Sequence, residues 1–153
     1  MPSLATKYFG TLPYEVSGRF RFPYGIPGYE EEHAFVLLDV EAKRPLVFLQ
    51  SIAACELCFL AFPILVVDPE YELAVSFEDL SSLKLETERQ PTIGAEVLVL
   101  TLLTLQAGGP ATANLMAPIV INLKTRRGLQ AIRTDARYSH DQTIPGIPRE
   151  EAC

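Results

Sequence analysis

The apolar residues of this chain come in runs of strand length, each closed by turn-forming residues, and that patterning constrains its fold more than any other feature. "GRFRF" alternates apolar and charged positions. "AFVLLDV" (Ala34 to Val40) and "PLVFLQS" (Pro45 to Ser51) are short and apolar, and "EAKRP" between them reads as the turn of a hairpin. "CFLAFPILVVD" is too long for one undisturbed strand, so Pro63 predicts a bulge or an edge position. "YELAVSF" predicts a strand with Tyr71, Leu73, Val75 and Phe77 on one face. "AEVLVLTLLTLQ" reads as a long strand buried on both faces, and "AGGPA" turns the chain back into "TANLMAPIVINLK". After "TRRG", "LQAIR" is the last strand. One stretch breaks the pattern: in "SFEDLSSLKL", Ser76 stands three residues before Asp79 and predicts a capped short helix from Phe77 to Leu83. "TERQPTIG" reads as a loop. Short strands, one short helix and close turns predict a mainly β, single-domain, antiparallel barrel-like fold.

The chain has 153 residues, enough for one domain with a real core. We place the β domain at 1–139 and a flexible C-terminal tail at 140–153, where "HDQTIPGIPREEAC" mixes prolines, glycine and charge. The net charge of −6 argues against nucleic acid, whose phosphates demand a basic face. Lys124, Arg126 and Arg127 do cluster, and they read as a solvated turn. An acidic chain suits a basic protein partner. The longest apolar region, Leu57 to Val67, is too short to span a bilayer. The opening residues lack the apolar core of a signal peptide, so the expected location is the cytoplasm.

Little here suggests catalysis. Nucleophile, dinucleotide and phosphate-loop motifs are missing, and "AGGPATAN" lacks the lysine of a phosphate cradle. His33 starts a strand and His140 lies in the tail. Asp68, before Pro69, reads as a turn starter, and Glu30 to Glu32 as a solvated loop. Cys55 and Cys58 in "CELC" have the spacing of a redox or metal half-site. They lack a second ligand pair, and a strand rather than a helix follows them, so they read as reduced thiols with Cys58 packed as a small hydrophobe. No catalytic residue, metal or cofactor is expected. Two alternatives stay open: a thiol oxidoreductase using Cys55 and Cys58, and a barrel that binds a small ligand.

Two stretches stand out. In "FPYGIPGYEE" (Phe22 to Glu31), prolines fix φ and glycines permit positive φ, which makes a rigid, shaped loop. Aromatics on such a loop bind at low entropic cost. In "ATANLMAPIVINLKTRRGLQAI" (Ala111 to Ile132), Asn114, Asn122 and Gln130 interrupt apolar strands. Asn114 and Asn122 share a strand face unless Pro118 introduces a bulge. Their amides can tie off backbone groups left by the disturbed ladder, or face a partner.

The chain resembles the flagellar assembly factor FliW family. The resemblance rests on "FRFPYGIPGYEE", "PLVFLQSI", "FLAFPILVVDPEYE", "ATANLMAPIVINLKTRRGLQAI" and "RYS", in the family's order, from about Phe20 to Ser139. It implies a small, largely β, cytoplasmic protein without cofactor or catalysis. It also implies a partner switch. Such a protein binds flagellin, and when free of it binds and antagonises the dimeric translational regulator CsrA, relieving repression of flagellin mRNA. Candidate partner-binding residues are Phe22, Tyr24, Ile26, Pro27, Tyr29, Gln50, Asn114, Asn122 and Gln130. One departure is Arg133 in "LQAIRT", where the family commonly carries an aliphatic run.

Overall fold

The computed structural model describes residues 3–6, 10–13 and 18–144, with side chains over residues 18–144. Most of the expected tail, 145–153, therefore lies outside the described residues. Strands β1 (Ser3–Thr6) and β2 (Gly10–Pro13) form an antiparallel pair of their own. The main sheet contains β3 (Arg19–Arg21), β4 (Ala34–Leu38), β5 (Val47–Ser51) and β6 (Cys58–Pro63) as a meander. It continues through β7 (Val97–Thr104), β9 (Ile119–Asn122) and β10 (Gly128–Gln130). β8 (Ala111–Ala113) also pairs with β7, and β11 (Gln142–Ile144) pairs with β8. Every ladder is antiparallel. β11 lies within the stretch read as tail: Thr143 and Ile144 extend readily, and β8 offers them a free edge.

The sheet curls until its ends approach. Arg21 N–H donates to the Arg126 carbonyl at 2.9 Å, and Arg21 forms a single parallel bridge with Arg127. This is a seam, not a full ladder, so the barrel is open. Alternation then sorts the side chains. Phe20, Phe35, Val47, Leu49, Leu100, Ile119 and Ile121 fill the inside with Phe22 and Ile26. The outside is covered as well. Val36, Leu38, Phe48 and Phe62 form one outer cluster, and Val97, Val99 and Val120 pack in another with Leu80 and Leu83. Burial on both faces explains why all five residues of β5 are buried.

Two local expectations change. Pro63 makes neither a bulge nor an edge; it ends the central strand β6 opposite Leu100 and opens a one-turn helix, α1 (Ile64–Val67). Proline has no N–H to lose at a helix start, and Ile64 is driven fully into the core. "YELAVSF" joins no ladder. Tyr71 and Val75 are buried as the alternation predicts, but Phe77 is 64% exposed. Gln90 replaces the ladder: its side-chain amide accepts from Val75 N–H at 2.7 Å and donates to Val75 O at 3.0 Å. The capped helix α2 (Phe77–Ser82) forms as expected, with Ser76 Oγ accepting from Asp79 N–H at 3.2 Å. At the other turn, "EAKRP" is a 3-10 turn at Glu41–Lys43.

Candidate partner-binding surface

The loop after β3 is fixed by its own backbone. Phe22 N–H donates to His33 O, Gly25 N–H to Phe22 O, and Tyr29 N–H to Ile26 O, at 2.7, 2.9 and 2.6 Å. The Glu30 carboxylate accepts from Gly28 N–H at 2.9 Å, and this bond holds its pKa below the usual carboxylate range. Gly25 has φ of +65°, and a Cβ there would sit 2.6 Å from Glu30 Cα and Tyr29 O. Only glycine fits.

This frame divides the candidate residues. Phe22 and Ile26 point inward and are buried, with Phe22 edge-on to Phe35 at 5.2 Å between ring centres. They hold the loop, and their side chains are not exposed to solvent. Tyr24, Pro27 and Tyr29 face solvent. Tyr29 leans edge-on against Phe59 at 5.3 Å. Tyr24 is 65% exposed, and its hydroxyl reaches Ser82 Oγ at 3.4 Å, which sets the loop beside α2.

The amides behave differently. Between Leu100–Ile119 and Leu103–Ala113, β7 advances three residues while its partner advances six. The partner segment thus loops out of the ladder ahead of Pro118. Asn114 Oδ1 caps it by accepting from Met116 N–H at 3.1 Å and Ala117 N–H at 3.0 Å. Gln130 Nε2 donates to Ala117 O at 3.0 Å, and Arg133 N–H to Met116 O at 2.9 Å. Asn122 is buried. Its Nδ2 donates to Leu83 O at 2.7 Å, and its Oδ1 accepts from Lys124 N–H at 2.9 Å. One side chain thus joins the end of α2 to the β9–β10 turn. Gln50 is fully buried, with Nε2 donating to Ser51 O and Cys55 O at 3.1 and 3.2 Å, and it shapes the β5–β6 turn. All four amides bond backbone groups, and none is presented as the tyrosines are.

Arg133, which the sequence marked only as a departure, anchors a cluster. It is 4% exposed and paired with Asp135 at 2.9 Å. Its Nη1 donates to Glu72 O at 2.6 Å and Tyr71 Oη at 3.3 Å, and its guanidinium lies 4.8 Å from the Tyr138 ring centre. The Asp135 bond raises the Arg133 pKa and lowers that of Asp135, while burial pushes the Tyr71 phenol up. Tyr71 and Tyr138, from "YELAVSF" and "RYS", meet at 4.4 Å between ring centres. Their separation along the chain hid this pairing.

Cys55 is exposed in the β5–β6 turn, and Cys58 is the first residue of β6. Neither stands at a helix start, so no helix dipole acts on these thiols. Among the described residues no three His, Cys, Asp or Glu side chains gather as a metal site, and no helix is long and apolar enough to cross a membrane. Phenylalanine, leucine and isoleucine side chains fill the inner face of the barrel.

Comparison with known proteins agrees with this geometry. The family model described as FliW protein matches residues 3–144. The chain is 33% identical over 137 residues to the flagellar assembly factor FliW of Clostridium botulinum (strain Langeland), covering 89% of this chain and 92% of that protein. It is 36% identical over 136 residues to that of Geobacillus sp. (strain WCH70), covering 88% and 90%. A crystal structure of the flagellar assembly factor FliW superposes with a TM-score of 0.80 at 35% identity, covering 94% of this chain and 98% of the other. A β fold this similar, built on shared sequence along nearly its whole length, settles its kinship: the chain belongs to the FliW family of flagellar assembly factors.

Proposed function

We propose that this protein works as a cytoplasmic, non-catalytic partner switch. It binds flagellin, and when free of flagellin it binds the CsrA dimer and relieves repression of flagellin mRNA translation. The observation that carries the binding role is the loop at Tyr24, Pro27 and Tyr29, whose aromatics stand in solvent on a backbone locked by its own hydrogen bonds. Pre-ordered aromatics lose little entropy on binding, and tyrosine is over-represented among binding hot spots. The chain's net charge of −6 suits a partner with basic surface, as an RNA-binding regulator must have. The free protein acts as a monomer.

The test is calorimetric titration of the protein with flagellin and, separately, with CsrA. A third titration adds CsrA to the preformed flagellin complex. Binding to each partner alone, with no uptake of CsrA by the flagellin complex, is the expected result. Simultaneous binding of both would reject the switch, and binding of neither at tens of micromolar would reject the reading altogether.

A further inference from the structure

The described arginines of this acidic protein divide into two groups. Arg44, Arg89, Arg133 and Arg137 are each bonded to a carboxylate at 2.6 to 2.9 Å. The other four described arginines, Arg19, Arg21, Arg126 and Arg127, have no acidic partner among the described residues, and all four lie at the barrel seam. Arg19 and Arg21 are two apart on β3, so both point outward while Phe20 points into the core. The Arg126 guanidinium rests 5.4 Å from the Phe20 ring centre, and its backbone, at φ of +63°, is tied to Arg21 N–H. The sequence reads this turn as solvated; the structure half-buries Arg126 and Arg127 instead.

Arg19, Arg21 and Arg126 line one pocket of about 290 Å³ together with His33 and Thr125, and among the described residues no carboxylate lines it. Three arginines without an acidic partner among the described residues, all lining one pocket, is an unusual arrangement in a chain of charge −6. They come from a strand and from a turn on the far side of the seam. A lone carboxylate satisfies one guanidinium fork, whereas a phosphate group accepts from several directions and carries more charge. The volume suits a compact ligand.

We propose that this pocket binds a small phosphate-bearing anion, which bridges β3 to the β9–β10 turn and clamps the open barrel. Among the described residues the backbone ties the two sides only at Arg21, so a bridging ligand adds to the folded state what the sheet itself lacks. Ligand that binds only the folded protein raises the unfolding temperature.

Inorganic pyrophosphate is the probe, titrated by calorimetry and by thermal unfolding at constant ionic strength, with a tetraglutamate peptide in parallel. Saturable pyrophosphate binding with a rise in Tm of about 5 °C near saturation is expected. The Arg21→Gln/Arg126→Gln double variant loses both signals, while Arg44→Gln, outside the pocket, keeps them. Where the double variant fails to fold, Arg19→Gln serves, since its side chain makes no hydrogen bond among the described residues, and it weakens binding at least threefold. An equal response to chloride, a response retained in the pocket variants, or binding of tetraglutamate alone would each overturn the proposal.

Discussion

The loop from Phe22 to Glu31 and the segment from Ala111 to Ile132 both look out of place among strands, yet the fold turns one outward and the other inward. In the loop, backbone hydrogen bonds complete the frame, so Tyr24 and Tyr29 are free to stand in solvent. In the looped-out segment the backbone cannot complete itself, and Asn114, Asn122 and Gln130 spend their amides on it. The difference shows how to weigh an odd residue. A polar side chain in an apolar run tends to satisfy the chain that surrounds it. An aromatic between glycine and proline is held by a chain that needs nothing from it.

Four changes probe this contrast. Gly25→Ala has the largest expected effect. It forces a Cβ against backbone at 2.6 Å and destabilises the fold by about 3 kcal/mol. Partner affinity falls with it, and a variant that kept its full Tm would break the account of a rigid frame. Asn122→Ala follows. It strips the buried Leu83 carbonyl of its donor and the β9–β10 turn of its acceptor, for about 2 kcal/mol and a loss of about 6 °C in Tm. Below that transition its partner binding is unchanged; lost binding with unchanged stability would reverse the roles assigned to the two regions.

Tyr24→Ala inverts the pattern. Its stability stays within about 0.5 kcal/mol of the parent, because the ring is mostly exposed, while affinity for a partner falls about tenfold. Calorimetry beside thermal unfolding separates the two effects. The smallest change is Glu96→Gln. Arg89 grips Glu96 through two bonds of 2.6 and 2.8 Å and holds its pKa at about 2, against an ordinary 4.5. A lowered carboxylate pKa stabilises the fold above the ordinary value, and that contribution fades as pH falls from about 4.5 to 2. The variant therefore melts about a degree below the parent at pH 7, since the pair is exposed, and the gap closes toward pH 2. A gap that widened in acid would contradict the sign.

Alternation made most strands legible, and the Ser76 cap made α2 legible, because both signals are local. The resemblance of five motifs carried the family. What failed was decided at a distance. "YELAVSF" has strand periodicity, but it joins no ladder, and Gln90 bonds the Val75 backbone instead. "ILVV" is rich in β-branched residues and still forms α1, because core burial of Ile64 outweighs propensity. In the candidate site, the inward turn of Phe22 and Ile26 needs the positive φ of Gly25 to be known. The placement of Arg133 needs Tyr71 and Tyr138 to be known as neighbours.

The placement of β7 bears on how the molecule is made. A ribosome completes β3 to β6 as a self-contained meander of local pairings, then adds everything from Ile64 to Glu96 before β7 begins. Through that interval the outer edge of β6, with Ala61 and Phe62, has no neighbour. An apolar strand edge waiting for its partner invites pairing with another chain. Once β7 arrives it covers that edge and at the same stroke becomes the template for both β8 and β9. The speed of translation through α1, α2 and the Arg89 loop thus sets how long each nascent chain is exposed to its neighbours.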